Sequence, residues 1–158
     1  MEKLNKLATY SEIIASAAVV LSLVYVGAQV RLNTKATQAN TAQSLYEMHS
    51  QRLLLVYQDP DVAELNHRAE ERPSELTAVD SLRLLADLNL SINLYEAAFT
   101  NRENGTLEAE MANSWLQGLD TWICKPLAKP YWNRVKNEYV SGFVELVDLS
   151  LTNTNCVQ

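Results

Sequence analysis

The sequence predicts an all-α protein: a single N-terminal transmembrane helix that continues into a stalk, followed by a small bundle of about four helices. Three observations carry this. No charged residue falls between Glu12 and Arg31. Only four Gly and four Pro interrupt the chain, so long stretches are free of helix breakers. Apolar residues make up 47 % and charged residues 20 %, a balance that excludes wholesale disorder, and downstream they recur at helical spacing.

The first element runs from Ile13 to Val30 and is apolar on every face. At about 1.5 Å per residue it spans roughly 27 Å, close to the hydrocarbon thickness of a bilayer. Tyr10 and Tyr25 lie towards its ends, where an amphipathic ring suits the headgroup level, and Lys3, Lys6, Arg31 and Lys35 flank it. Two other readings compete. A buried core helix would be long and unusually uniform for so small a domain. A cleaved signal peptide would use the basic start and the small residues Val26-Gly27-Ala28.

Within this segment Ser11, Ala15, Ala18 and Ser22 share one stripe, and small residues let a second helix approach closely in lipid. They are the expected packing face for a partner helix, although Ala and Ser also face lipid without consequence. The basic flanks balance, two against two, so they do not orient the segment. The expectation is a single pass in a bacterial inner membrane with the C-terminal domain cytoplasmic, because nothing in that domain looks built for an oxidising compartment.

Beyond Arg31 a polar stretch without Gly or Pro leads into Leu45, Met48, Arg52 and Leu55 at helical spacing, which predicts the stalk. Asp59-Pro60 stops it, since a residue before proline is pushed out of the helical region, and Asp59 can cap a short helix from Pro60 to about Glu70. Ser74 is a candidate cap for a helix to about Asn101, in which Leu82, Leu85, Leu88, Ile92, Tyr95 and Phe99 follow one face and Leu84, Leu90 and Leu94 widen it. This should be the spine of the core. Asn104-Gly105 ends it, and Thr106 opens a helix from Leu107 to about Ile123 with Met111, Trp115, Leu119 and Trp122 or Ile123 as its buried stripe. Pro126 and Pro130 break the chain. A last helix is drawn from Tyr131 to Leu149 on Val135, Tyr139, Phe143 and Val147. The resulting organisation is an anchor with its flanks at 1–35, a helical domain at 36–150 and a frayed polar tail at 151–158.

Function classes narrow by exclusion. A formal net charge of −6 without a basic stripe argues against nucleic acid as a partner. Cys124 and Cys156 are the only cysteines and lie far apart, so neither a disulfide framework nor a thiolate metal cluster is suggested. Glu64-Leu-Asn-His67 has the Glu-x-x-His spacing used by di-iron bundles, but such bundles need two copies, and a solvated pair on a short helix is the plainer reading. No Ser, His and Asp set, activated thiol or phosphate-binding glycine loop appears, so no enzyme, metal or cofactor is expected. Tyr46, Trp115, Trp122, Tyr131 and Trp132 read as packing aromatics.

Asn89, Asn93 and Glu96 form a polar stripe along the spine. They are candidate contacts for a small ligand, or else pair with a neighbouring helix.

The segment Leu21 to Thr34, an apolar run closing in Gln29-Val30-Arg31-Leu32-Asn33-Thr34, resembles a family of short bacterial proteins of unknown function that join one N-terminal membrane helix to a helical domain. Further matches are Tyr95-Glu96, Asn104-Gly105, Trp115, Tyr131-Trp132 and Gly142-Phe143-Val144. The likeness spans most of the chain and departs at Cys124-Lys125-Pro126, where the family more often has a Gly-containing link. It implies this architecture and no activity.

The expected function is that of a non-catalytic, single-pass accessory, scaffold or assembly subunit. It would contact membrane lipid and either a membrane-protein partner or a second copy of itself. The alternative is a membrane-tethered domain that binds or senses a small ligand.

Overall fold

The computed structural model describes residues 2–154 and 156, with side chains described from residue 10 onward except at 55–57. Its regular structure is helical throughout these residues. The elements are α1 (Glu2–Gln58), α2 (Pro60–Glu71), α3 (Ala78–Glu103), α4 (Ala109–Leu116), α5 (Gly118–Ile123), α6 (Ala128–Val135) and α7 (Ser141–Asn153), with single 3-10 turns at Pro73–Glu75 and Lys136–Glu138. Residues up to Thr37 and residues from Gln38 onward form two compact units.

In the first unit α1 is exposed on every side from Tyr10 to Thr37. Its hydroxyls turn back on the helix, Ser16 donating to the Glu12 carbonyl at 2.8 Å and Thr34 to the Val30 carbonyl at 3.0 Å. Gln29 Nε2 donates to the Tyr25 hydroxyl at 3.1 Å. Such local pairing satisfies side-chain polar groups without water.

The second unit contains more helices than the four expected, because two of the anticipated long helices are each broken. The stretch from Leu107 to Ile123 starts later, at Ala109, and divides into α4 and α5 at Gln117. Thr106, expected to open it, instead donates its hydroxyl to Asn101 Oδ1 at 2.7 Å and closes the turn after α3. The stretch from Tyr131 to Leu149 begins earlier, at Ala128, so that Pro130 falls in a first turn where its missing N–H has no intrahelical partner to lose. It then breaks at Tyr139 and Val140, both extended.

The stop at Asp59-Pro60 follows the capping logic, with the Asp59 carboxylate accepting from the Asp61 N–H at 3.0 Å. The start of α3 differs from expectation: Thr77, not Ser74, is the cap, and with Asp80 it closes a reciprocal capping box. Arg68 of α2 then grips the same Asp80 through both terminal nitrogens at 3.2 and 3.3 Å, fastening α2 to the head of the spine.

Three apolar clusters share α3. The largest joins Leu88 and Ile92 to Leu119, Trp122, Trp132, Phe143 and Val147 from α5, α6 and α7. A second sets Leu94 and Ala98 against Ala42 and Leu45 of α1 and Ala112 of α4, and a third sets Leu84 against Leu65 and Ala69 of α2. Leu82 and Leu90, expected on buried faces, are 69 % and 52 % exposed. Each lies two residues from Leu84, Leu88 or Ile92, which is more than half a turn away from the stripe that faces the core.

Candidate functional site

Four features bear on function. The first is the apolar segment of α1, long and apolar enough to cross a membrane and with none of its most apolar window buried. Ser11, Ala15, Ala18 and Ser22 are all exposed along it.

The second is the polar stripe of the spine. Asn93 Oδ1 accepts from the Tyr139 hydroxyl at 3.0 Å, with Asn89 Oδ1 at 3.5 Å, and Glu96 Oε1 accepts from the Val140 N–H at 2.9 Å. These side chains satisfy groups exposed by the break before α7, and through them α3 sets the point where α7 begins. Tyr139 stands beside Trp132 and Phe143, and burial pushes its hydroxyl far above the ordinary tyrosine value.

The third feature corrects the reading of the cysteines. Cys124 and Cys156 form a disulfide, with Cα atoms 5.2 Å apart across a separation of 32 residues. The tail expected to fray from residue 151 is likewise held in its described part. α7 runs to Asn153, the Thr154 hydroxyl donates to Asp120 Oδ1 at 2.9 Å, and Cys156 is bonded to the turn after α5. Spacing alone could not show this, since the pairing depends on α7 folding back past α5. It also removes the ground for a cytoplasmic domain, namely that nothing looked built for an oxidising compartment.

The fourth is a cavity of about 300 Å³ between the C-terminal part of α1, the middle of α3 and α4. Its wall is aromatic at one end, where the Tyr46 and His49 rings each stand 5.3 Å from that of Trp115. At the other end Arg52 donates from Nε and Nη2 to the two oxygens of Asp87 at 2.7 and 2.8 Å, and Lys125 approaches the same carboxylate at 3.5 Å. Burial pushes the Asp87 carboxyl up, but the hydrogen bond and charge of Arg52, with Lys125 behind them, outweigh it and hold the group below the usual carboxylate value. The same hydrogen bond raises Arg52 against its own burial. Tyr95 lies against the α4–α5 junction, and burial pushes its phenol up.

Sequence reasoning placed Arg52 in the stalk register and did not single out Asp87 on the spine. The usable signal was complementarity: opposite charges, each inserted into an apolar helical stripe, seek one another.

Among the described residues, no three His, Cys, Asp or Glu side chains approach closely enough to hold a metal. Glu64 of the Glu-x-x-His motif lies 3.7 Å from Arg68 and 3.6 Å from Arg72.

These features define an all-helical chain with one helix fit to cross a membrane and a disulfide-tied helical unit. Compared with known proteins, it matches no family model, no curated protein and no solved structure.

Proposed function

We propose that this chain is a non-catalytic, single-pass membrane protein that works as an accessory or assembly subunit, with its helical domain on the oxidising side of a bacterial inner membrane. The observation that carries the anchor is the complete exposure of the apolar segment: a core helix would be covered by its own chain, and this one is not. The disulfide supports the orientation, because such bonds persist outside the reducing cytoplasm. Lys3 and Lys6 then take the cytoplasmic side. The stripe of Ser11, Ala15, Ala18 and Ser22 offers the face for a membrane-protein partner or a second copy.

The test is made on cell membranes. The intact chain should resist carbonate extraction. In spheroplasts a membrane-impermeant maleimide should label Cys124 and Cys156 only after an added reductant. Release by carbonate, or a mature product lacking the apolar segment, ends the anchor; labelling that requires lysis ends the orientation. Native electrophoresis should show a complex larger than the monomer, which the substitution Ala18→Leu weakens.

A further inference from the structure

We propose that the cavity between α1, α3 and α4 binds a small carboxylate carrying a flat apolar ring, with Arg52 and the Tyr95 hydroxyl holding the carboxylate and Trp115 receiving the ring. This stands apart from the reading of the chain as an accessory subunit and survives its failure.

The charge balance comes first. The Asp87 carboxylate is shared between Arg52, which lines the cavity, and Lys125, which does not, so Arg52 is not its sole counter-charge. Among the described residues that line the cavity there is no carboxylate. Arg52 spends Nε and Nη2 on Asp87, while Nη1 makes no hydrogen bond among the described residues. A guanidinium held flat by one carboxylate retains N–H donors for a second anion, and the planar fork suits a carboxylate.

The other polar groups in the wall can also donate. Tyr95, His49 and Ser114 carry O–H or N–H groups, whereas the Ser91 hydroxyl is already committed to the Asp87 carbonyl at 2.8 Å. Trp115, flanked by Tyr46 and His49, supplies a flat surface at the opposite end. The size sets the ligand: about 300 Å³ is at the small end of ligand sites, enough for one ring with its acid group.

Gly118 shows how closely the wall is drawn. A Cβ there would stand 2.7 Å from the Tyr95 hydroxyl oxygen and 3.0 Å from its Cε1, so a side chain at 118 forces Tyr95 out of place.

The experiment uses the full chain in nanodiscs, with benzoate as the probe and benzamide, acetate and inorganic phosphate as comparators. Binding is followed by calorimetry and by tryptophan fluorescence, in which Trp115 is the reporter because Trp122 and Trp132 are fully buried. Benzoate should bind saturably, with benzamide, acetate and phosphate each at least about tenfold weaker, as loss of a charged hydrogen bond or of a ring contact implies. Tyr95→Phe should weaken benzoate about tenfold. Should that variant fail to fold, Ser114→Phe, at an exposed position of α4, fills the space from outside the core and should abolish binding. Benzoate without saturation, benzamide binding as well as benzoate, or full affinity in a folded Tyr95→Phe or Ser114→Phe variant would each overturn the assignment.

Discussion

Asp87 sits among leucines on the spine, and the cost of placing a carboxylate there is met by Arg52 from another helix. Removing one partner therefore does more harm than removing both. Asp87→Ala should destabilise by about 3 kcal/mol in urea denaturation, whereas the double replacement Arg52→Met with Asp87→Leu should recover much of the loss. Asp80 and Asp148 are held below the usual carboxylate value as well. For Asp80 the Thr77 backbone is the main cause, and for Asp148 it is the Trp132 indole, whose Nε1 donates at 2.7 Å. A carboxylate whose folded pKa lies below its unfolded one stabilises fully above the unfolded value, about 4, and that contribution is lost as pH falls through the folded value. Tyr95, Tyr131 and Tyr139 carry the opposite sign, since burial raises their phenols, and their contribution is lost as pH rises above about 10. Thermal unfolding followed by circular dichroism should thus show a plateau bounded on both sides. Asp87→Asn should flatten the acid limb and leave the alkaline one; an unchanged acid limb would show that the pair does not hold its charge in the folded state.

Elements were legible where the punctuation is local. Asp59-Pro60 and the Asn104-Gly105 turn each act within a few residues, and the end of α1, the start of α2 and the end of α3 follow from them, whereas Thr77 rather than Ser74 caps α3 and Leu82 and Leu90 turn outward. The breaks inside the last two anticipated helices depend on distant residues. Tyr139 and Val140 leave the helix because Asn93 and Glu96, more than forty positions away, accept their hydrogens. Glu96→Ala should accordingly hand the exposed Val140 N–H to water and cost about 0.5–1.5 kcal/mol, with faster amide exchange at the first turn of α7, while Glu96→Gln keeps an acceptor and most of the stability. The tail was misread for the same reason, since only the fold brings Cys156 to Cys124. The cross-link closes a loop over 32 residues of separation, for which chain entropy implies roughly 3–4 kcal/mol. Cys156→Ser should lower stability by up to that amount and speed exchange in the last turn of α7; a loss spread evenly over α2 and α6 would argue against a local clamp.

At the scale of the whole molecule the chain divides into two units, and they were legible to different depths. The apolar segment is legible from composition, because length and hydrophobicity alone decide whether a helix is fit to cross a bilayer. The helical unit declares its class but not its site: Arg52, Asp87, Trp115 and Gly118 lie on four different helices or their junctions, and no spacing rule joins them. The division at Thr37 and Gln38 makes a direct prediction. All three apolar clusters are built from residues beyond that boundary, with Ala42 and Leu45 of α1 among them. A chain beginning at Gln38 thus retains every buried apolar side chain of the described core. It should be soluble, fully helical by circular dichroism and cooperative in unfolding, and it should no longer sediment with membranes. Beginning the chain at Gln51 instead removes Ala42 and Leu45 from beneath Leu94 and Ala98, opening a core face whose loss costs about 2–5 kcal/mol for the leucine alone. That shorter chain should bind hydrophobic dyes and melt early. If the chain from Gln38 behaves the same way, the folded unit requires the apolar segment, and the division of labour between anchor and domain is wrong.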